Sequence, residues 1–400
     1  MRRIIIKEAR PGMVAARTLA TAASPAVTLL SAGDVLSVSQ LACLHGMGTY
    51  DLWVNDPGLD FLDDLCSGQP TSAHQRLAVG LREAMLRFVT CANRELFKTH
   101  AFGIEEIVGS VVRGAASVPC FQAMTDDEAL LAHSCDVAAL AILLGMQLEN
   151  YLVEQRKRLD TKNARGIHNL ALGALFHDVG ELMLPAEQRE SRIGPIFHEH
   201  AGQAWRQHTD EGYAMVRGKI DPSAAVVVQH HHQNFDGTGF AGRETPERFG
   251  RAQEGATIHV FARIAMAADM FAQITMGAGR VPQPMVKTLW ELQQAPVRKA
   301  MDPVVHDCLM SLFPAFSEGM IVTLTDGRKA IVTTCNPMLP CYPVVQTLPQ
   351  GEMVDAEHRE MPTEVMDLSE EMDIGIQAVD GTNIDPYLYG VRKGRPLVAA

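Results

Sequence analysis

Ala174-Leu175-Phe176-His177-Asp178-Val179-Gly180 is the stretch on which the reading of this chain turns. Upstream of it, Ile167, Leu170, Ala171, Ala174 and Leu175 recur at helical spacing and define one apolar face. The next position on that face is Asp178. A carboxylate at the end of a buried face needs a partner, because an unpaired buried charge is expensive. His177 stands beside it, and Val179-Gly180 marks where such a helix can stop.

Two more segments repeat the pattern on either side. Thr125-Asp126-Asp127-Glu128 has the form of a capping box, so a helix should begin there and carry Leu130, His133, Val137, Leu140 and Leu144 along one face. A lone histidine on such a stripe is ordinarily a hydrogen-bonded core residue, but this one has company. Phe261, Ile264, Ala265 and Ala268 form another stripe, and Asp269 falls on it at the next helical step. Two carboxylates and a histidine on three apolar faces point to one shared cation site. Asp221-Pro222 reads as a helix start leading into His230-His231-His232, of which two can face one site, since successive helical positions differ by about 100°. The run ends in a glycine-rich turn, Phe235-Asp236-Gly237-Thr238-Gly239-Phe240. His208, before Thr209-Asp210, is a further loop candidate, with His198 and His200 as rivals for its role.

The 400 residues suggest two or three domains at about 150 residues each. With 47% hydrophobic and 20% charged residues, the chain has ordinary globular composition. The net charge of −12 argues against a polymeric nucleic-acid partner held by a broad basic face, though not against a small anion held by metal ions. The eight scattered cysteines read as reduced thiols, mostly core filler, in a cytoplasmic protein. The start, Met-Arg-Arg-Ile-Ile-Ile-Lys-Glu, is too short in apolar residues for an export signal. The apolar stretches from Val137 to Met146 and from Ala262 to Met270 fall short of the ~20 residues needed to span a bilayer, so no membrane insertion is expected. The predicted fold is mainly α: a helical domain flanked by small β-rich modules. Residues 1–60 form the first module, 61–124 a helical connector, 125–315 the central domain and 316–400 a closing β-rich module with a hairpin turn at Thr325-Asp326-Gly327-Arg328. Glu352 to Asp373, rich in carboxylates, reads as a solvated stretch, and Met266, Met270 and Met276 as core filler.

The order His, His-Asp, His, His-His, Asp resembles the metal-dependent phosphohydrolase superfamily named for its His-Asp pair, and more finely its HD-GYP branch. Ala132-His133-Ser134 matches the opening element, residues 174–180 the His-Asp element, His208 to Gly212 a His-Pro-x-x-Gly element, and Ala262-Arg263-Ile264 through Asp269 the last one. His231-His232-Gln233-Asn234-Phe235-Asp236-Gly237-Thr238-Gly239-Phe240 resembles His-His-Glu-x-Trp-Asp-Gly-Ser-Gly-Tyr, a register that selects His231 and His232 over His230. The resemblance implies an all-helical domain with two divalent metals, iron or manganese, that opens cyclic di-GMP to a linear dinucleotide in bacterial signalling, with a signalling protein as a further partner. By carry-over, His133, His177, Asp178 and Asp269 hold one metal and His208, His231 and His232 the other, with Asp178 bridging. Asp178 is then the catalytic carboxylate, with Glu181, which stands where the pattern has a lysine, as the second catalytic candidate, and Asp236, Gly237, Gly239, Phe240 and Arg280 line the substrate site.

The sequence also departs from that pattern. The lysine that follows His-Asp-x-Gly is Glu181, the signature Tyr-Pro is Phe240-Ala241, the Glu after His-His is Gln233, and the first motif's Arg is Asp136. The Asp-Arg-x-Tyr-Arg segment is replaced by Met276-Gly277-Ala278-Gly279-Arg280. These differences keep two alternatives beside the hydrolase: a metal-binding signalling scaffold with weakened catalysis, and a di-iron enzyme with another substrate.

Overall fold

The computed structural model describes residues 2–5, 9–16, 18–21, 24–46, 51–55, 73–91, 101–185, 203–240, 253–276, 283–348 and 364–390. Arg2–Ile5 (β1) pairs antiparallel with Asp51–Val54 (β4), and Leu19–Thr21 (β2) with Ser24–Leu30 (β3); Val38–Gly46 (α1) lies between β3 and β4 in sequence. Ala15, Leu30, Leu36, Leu44, Leu52 and Val54 form a small core of their own.

The helical part runs through Ala73–Cys91 (α2), Ala101–Ala116 (α3), Phe121–Asp126 (α4), Glu128–Gln147 (α5), Glu149–Gln155 (α6), Thr161–Arg165 (α7) and His168–Leu175 (α8). A 3-10 turn, Val179–Met183, follows; then come Gln203–Arg206 (α9), His208–Val216 (α10), Pro222–His230 (α11), Val260–Met276 (α12), Met285–Leu292 (α13), Ala295–Ala300 (α14) and Pro303–Leu312 (α15). The axis of this bundle is α5, buried without a break from Val137 through Gly145, with α8 and α12 packed on it and α11 on both of those. It is long and apolar enough to cross a bilayer by composition alone, but a helix that is apolar all round also fits the centre of a folded core, and 72% of its apolar window is buried here. The helix is capped by Asp127, which accepts from the Leu130 amide, rather than by Thr125, which belongs to the last turn of α4. Asp221 caps α11 as its Asp-Pro sequence predicts, accepting from the Ser223 amide.

The closing module is a six-stranded antiparallel sheet built from Ile321–Leu324 (β5), Lys329–Thr334 (β6), Val344–Thr347 (β7), Val365–Asp367 (β8), Ile376–Val379 (β9) and Thr382–Asn383 (β10), in the order β10-β9-β5-β6-β7-β8. The Asp326-Gly327 turn joins β5 to β6 as its sequence predicts. The acidic stretch is not all solvated, since its last part supplies β8; residues 352–363 lie outside the described residues. The sheet shares one continuous core with the helices, from Leu77 through Phe271 and Phe313 to Val332 and Val345.

A buried ion pair fastens α12 to the start of α15. Arg263 pairs with Asp302, each only 1% exposed. Arg263 also donates to the Tyr151 hydroxyl at 2.6 Å, Gln155 Oε1 at 2.7 Å and the Ile258 carbonyl at 3.0 Å, while the Tyr151 hydroxyl donates to Asp302 Oδ2 at 2.7 Å. Burial, reinforced by that bond to Asp302, pushes the Tyr151 hydroxyl up to about 12. A buried charge pair is tolerable when its remaining donors are matched in this way.

The start of α12 is held differently. His259 Nδ1 accepts from the Phe261 amide at 3.2 Å, which needs the neutral ring. Burial, and then the cations Arg156 and Arg263, push His259 down to about 4. A folded-state value below the ordinary 6.5 means that the contribution is complete above pH 6.5 and is lost as pH falls from there through about 4. His259→Asn keeps an acceptor at the cap and removes the titration. Between pH 7 and 4.5 the native protein should lose on the order of 2 kcal/mol more stability than this variant, read by thermal unfolding at each pH. Parallel pH profiles would show that the ring does not titrate against folding.

Candidate metal centre

The His-Asp element does not continue its helix as far as the sequence suggests. α8 ends at Leu175, and Asp178 stands at the entry to the 3-10 turn, so the carboxylate is placed by a turn rather than by a helical face. His231 is the residue after α11 and His232 lies in the turn beyond it, while His133 and Asp269 project from within α5 and α12. His208 opens α10.

The histidines are oriented from behind. The Nδ1–H of His177 donates to the Ala174 carbonyl at 2.8 Å, that of His208 to the Trp205 carbonyl at 2.7 Å, and that of His231 to the Val228 carbonyl at 3.0 Å. A carbonyl only accepts, so each bond fixes the proton on Nδ1 and leaves Nε2 with its lone pair for a ligand. The three Nε2 atoms converge on Asp178: His177 is 3.2 Å from Oδ2, and His208 and His231 are each 3.4 Å from Oδ1. His133 Nε2 lies 3.0 Å from Asp269 Oδ1 and 3.7 Å from Asp178 Oδ2, and Gln273 Nε2 donates to Asp269 Oδ1 at 2.8 Å.

These side chains form two overlapping groups, His133–His177–Asp178 and Asp178–His208–His231–His232, with ligand atoms within 4.8 Å of one another in each group. Asp178 belongs to both. Asp269 flanks the first group through His133 and His177. His177, Asp178, His208, His231, His232 and Asp269 are buried, and the His133 side chain is 19% exposed. His177 Nε2 and Asp178 Oδ1 are buried and make no hydrogen bond, the condition expected of donors that point at a cation. Neutral imidazoles with carboxylates are the donor set of borderline divalent metals.

The cluster is electrostatically unbalanced without a cation. Burial opposes the charged His177 ring, but the neighbouring Asp178 and Asp269 carboxylates outweigh it and hold the ring at about 9. Burial opposes the Asp178 charge as well, yet His177, His231 and His208 keep that carboxyl well below its ordinary range. Asp269 is held at about 2 against burial, chiefly by its bond to His133. Burial drives His208 down to about 3. A metal held here would meet charged carboxylates and the neutral His208 ring, and its binding at His177 would require loss of that ring's second proton.

Residues 130–273 match the family model of the HD domain. The order of the motifs in this segment resembles that of the HD-GYP branch. Over 239 residues the chain is 29% identical to a curated cyclic di-GMP phosphodiesterase of Pseudomonas aeruginosa, a match covering 57% of this chain. The chain spans about half the length of that relative. A solved HDG"Y"P protein of Bdellovibrio bacteriovorus aligns with 77% of this chain and 97% of its own at 14% identity and a TM-score of 0.32.

Within this segment the remaining candidates separate. Phe240 is buried and stacked on His232, with ring centres 4.7 Å apart, and with Gly239 it lines a cleft that also includes His232, Asn234, Met266, Asp269, Met270 and Gln273. Met266 and Met270, read from sequence as filler, are thus buried but also form the wall beside Asp269. Asp236 and Gly237 do not line that cleft. Asp236 is exposed and accepts from the Thr238 amide at 3.0 Å and its hydroxyl at 2.6 Å, while Gly237 takes a φ of 83°, so both shape the turn that presents Gly239 and Phe240. Gly239 has a φ of 81°, and a side chain there would run into the His232 carbonyl oxygen. Glu181 is fully buried, and its Oε1 accepts from the Trp205 indole N–H at 3.0 Å. His230 belongs to neither group. Arg280, His198 and His200 lie outside the described residues.

Trp205 is the residue that sequence reading missed. Its ring centre lies 4.5 Å from that of His208, 5.1 Å from His232 and 5.9 Å from Phe240, so it backs the second histidine group while holding Glu181. The signal was its position three residues before His208, the spacing at which its carbonyl meets the His208 ring.

Proposed function

We propose that the chain is a two-metal phosphodiesterase that hydrolyses cyclic di-GMP to the linear dinucleotide in bacterial signalling, with iron or manganese at the centre and with the cytoplasm as its compartment. The observation that carries this reading is the convergence of three carbonyl-anchored histidines on one carboxylate, Asp178, that serves both halves of the cluster. His133, His177, Asp178 and Asp269 would hold one ion, and Asp178, His208, His231 and His232 the other. The substrate class is supported by the curated relative, whose name states it.

Ions held by these residues would supply Lewis-acid chemistry: activation of a water near neutral pH and charge stabilisation at the phosphate. The chain does the positioning. Asp178 aligns both halves, Gln273 fixes the Asp269 carboxylate, and Phe240, Met266 and Met270 give the cleft an apolar wall that limits water beside the phosphodiester. In the hydrolysis a water oxygen bonds to phosphorus, the bond to the 3′ oxygen breaks, and the water's proton ends on that leaving oxygen. The β-rich regions before 61 and after 315 are proposed to contact a signalling partner.

One observation favours the scaffold alternative. Glu181 stands where the branch carries a lysine, and its carboxylate is turned to the Trp205 indole in the interior instead of meeting a phosphate. Losing a positioned cation of this kind can cost about 10²-fold in rate. Anaerobic reconstitution with Fe²⁺ or Mn²⁺, incubation with cyclic di-GMP and chromatography of the products separates the two. Metal-dependent appearance of linear dinucleotide is expected. A fully metal-loaded protein that leaves the substrate intact would replace the hydrolase with the scaffold.

A further inference from the structure

A second concavity lies away from the metal cleft and shares no lining residue with it. Its volume is about 1130 Å³, just above the roughly 300–1,000 Å³ of small-molecule sites. Its wall includes the basic segment between the first two metal-site motifs: Arg156, Lys157, Arg158 and Lys162, with Glu154 and Asp221 as the opposing charges. In a chain of net charge −12 this is a local reversal of sign.

The charges are not equivalent. The Arg156 guanidinium is committed to the structure, donating to the carbonyls of Asn163, Ala164 and Gly166 at 2.9–3.1 Å and lying 4.5 Å from the centre of the Phe261 ring. Asp221 is committed too, accepting from the Ser223 amide and hydroxyl at 2.8 and 2.5 Å. Lys157, Arg158 and Lys162 are exposed, and their side chains form no hydrogen bond or ion pair among the described residues. Their charge is available to a ligand.

The floor is also suited to an anion. His168 and Asn169, the first two residues of α8, line it, and α8 begins without a side-chain cap. Its first amides carry partial positive charge that no side chain answers. Pro222 and Ser223 of α11 and His259 at the head of α12 complete the floor, so all three helices that lead to His177, Asp178, His231, His232 and Asp269 begin at this groove.

We propose that this groove is a binding site for a phosphorylated small molecule, with Lys157, Arg158 and Lys162 meeting the phosphate oxygens over the open end of α8. The site is distinct from the metal centre, and the inference does not depend on what the metal centre does.

The probes are adenosine 5′-monophosphate and inorganic phosphate, titrated calorimetrically into the metal-loaded full chain at fixed ionic strength. Saturable binding of the nucleotide is expected, with inorganic phosphate competing for it. The Lys157→Ala/Arg158→Ala/Lys162→Ala variant should weaken binding by about tenfold or more, as expected for loss of charge-assisted contacts. Lys157→Arg/Lys162→Arg should keep it, and so should Asp178→Ala, which damages only the metal centre. Since the three side chains form no hydrogen bond or ion pair among the described residues, the triple variant should unfold at the same temperature as the parent. Absence of saturable binding overturns the proposal. So does binding that survives in the triple variant and disappears in Asp178→Ala, which would assign the phosphate to the metals.

Discussion

Asp178→Ala is expected to leave a folded protein that retains fewer than one metal ion per chain and loses at least about 10³-fold in phosphodiesterase rate. The size of the effect follows from geometry. Asp178 is the one residue common to both ligand groups, and the His177, His208 and His231 rings all face its two oxygens. Removing it deletes a ligand from each half at once, so the losses should not resemble those of a ligand serving one half, and residues that act as a unit are strongly non-additive. The fold should survive, because the His177 ring is held protonated largely by Asp178 and can shed its proton when that carboxylate is gone. Metal analysis of the purified variant, with circular dichroism as the folding control, checks both parts. Full metal content with normal turnover would remove Asp178 from the centre of the account.

Gly180→Ala is expected to destabilise the protein by on the order of 3 kcal/mol or more, the upper range for overpacking, and to lower metal content as well. A Cβ at Gly180 would fall on the His208 carbonyl oxygen and the Gly212 amide nitrogen and would stand 2.8 Å from the His208 carbonyl carbon. These are backbone atoms of the first turn of α10, which cannot rotate away as a side chain would. The crossing is close on both sides, since a Cβ at Gly212 would lie 3.1 Å from the Gly180 amide nitrogen. The glycine that follows the His-Asp pair therefore brings the turn carrying Asp178 against the helix carrying His208. Displacing α10 moves His208 Nε2 from its place 3.4 Å from Asp178. Denaturant unfolding and metal analysis read the two effects together; an alanine variant with unchanged midpoint and metal content would show that the crossing relaxes freely.

The contrast between what could and could not be seen in the sequence follows the same physical line. His133 and Asp269 were legible because each interrupts an apolar helical stripe, and helical periodicity survives in the chain as spacing. His208, His231 and His232 needed the ordered resemblance, since a histidine in a turn has no periodicity to betray it. Asp178 was found for an incomplete reason: the stripe pointed to it, but the helix stops at Leu175 and a 3-10 turn does the placing. Asp127 displaced Thr125 as the cap because α4 runs on through Asp126 and absorbs the threonine. Pairings between distant segments left no trace at all. Trp205 with Glu181, Arg263 with Asp302, and the groove formed by the basic segment with three helix starts are contacts set by tertiary packing, which local spacing does not encode.

The most direct test of the account is the metal content of the full chain purified and loaded under anaerobic conditions, counted per polypeptide beside its Asp178→Ala variant. Two ions per chain are expected in the parent and fewer than one in the variant. A parent that takes up one ion, or a variant that keeps two, would contradict a centre in which Asp178 joins both halves.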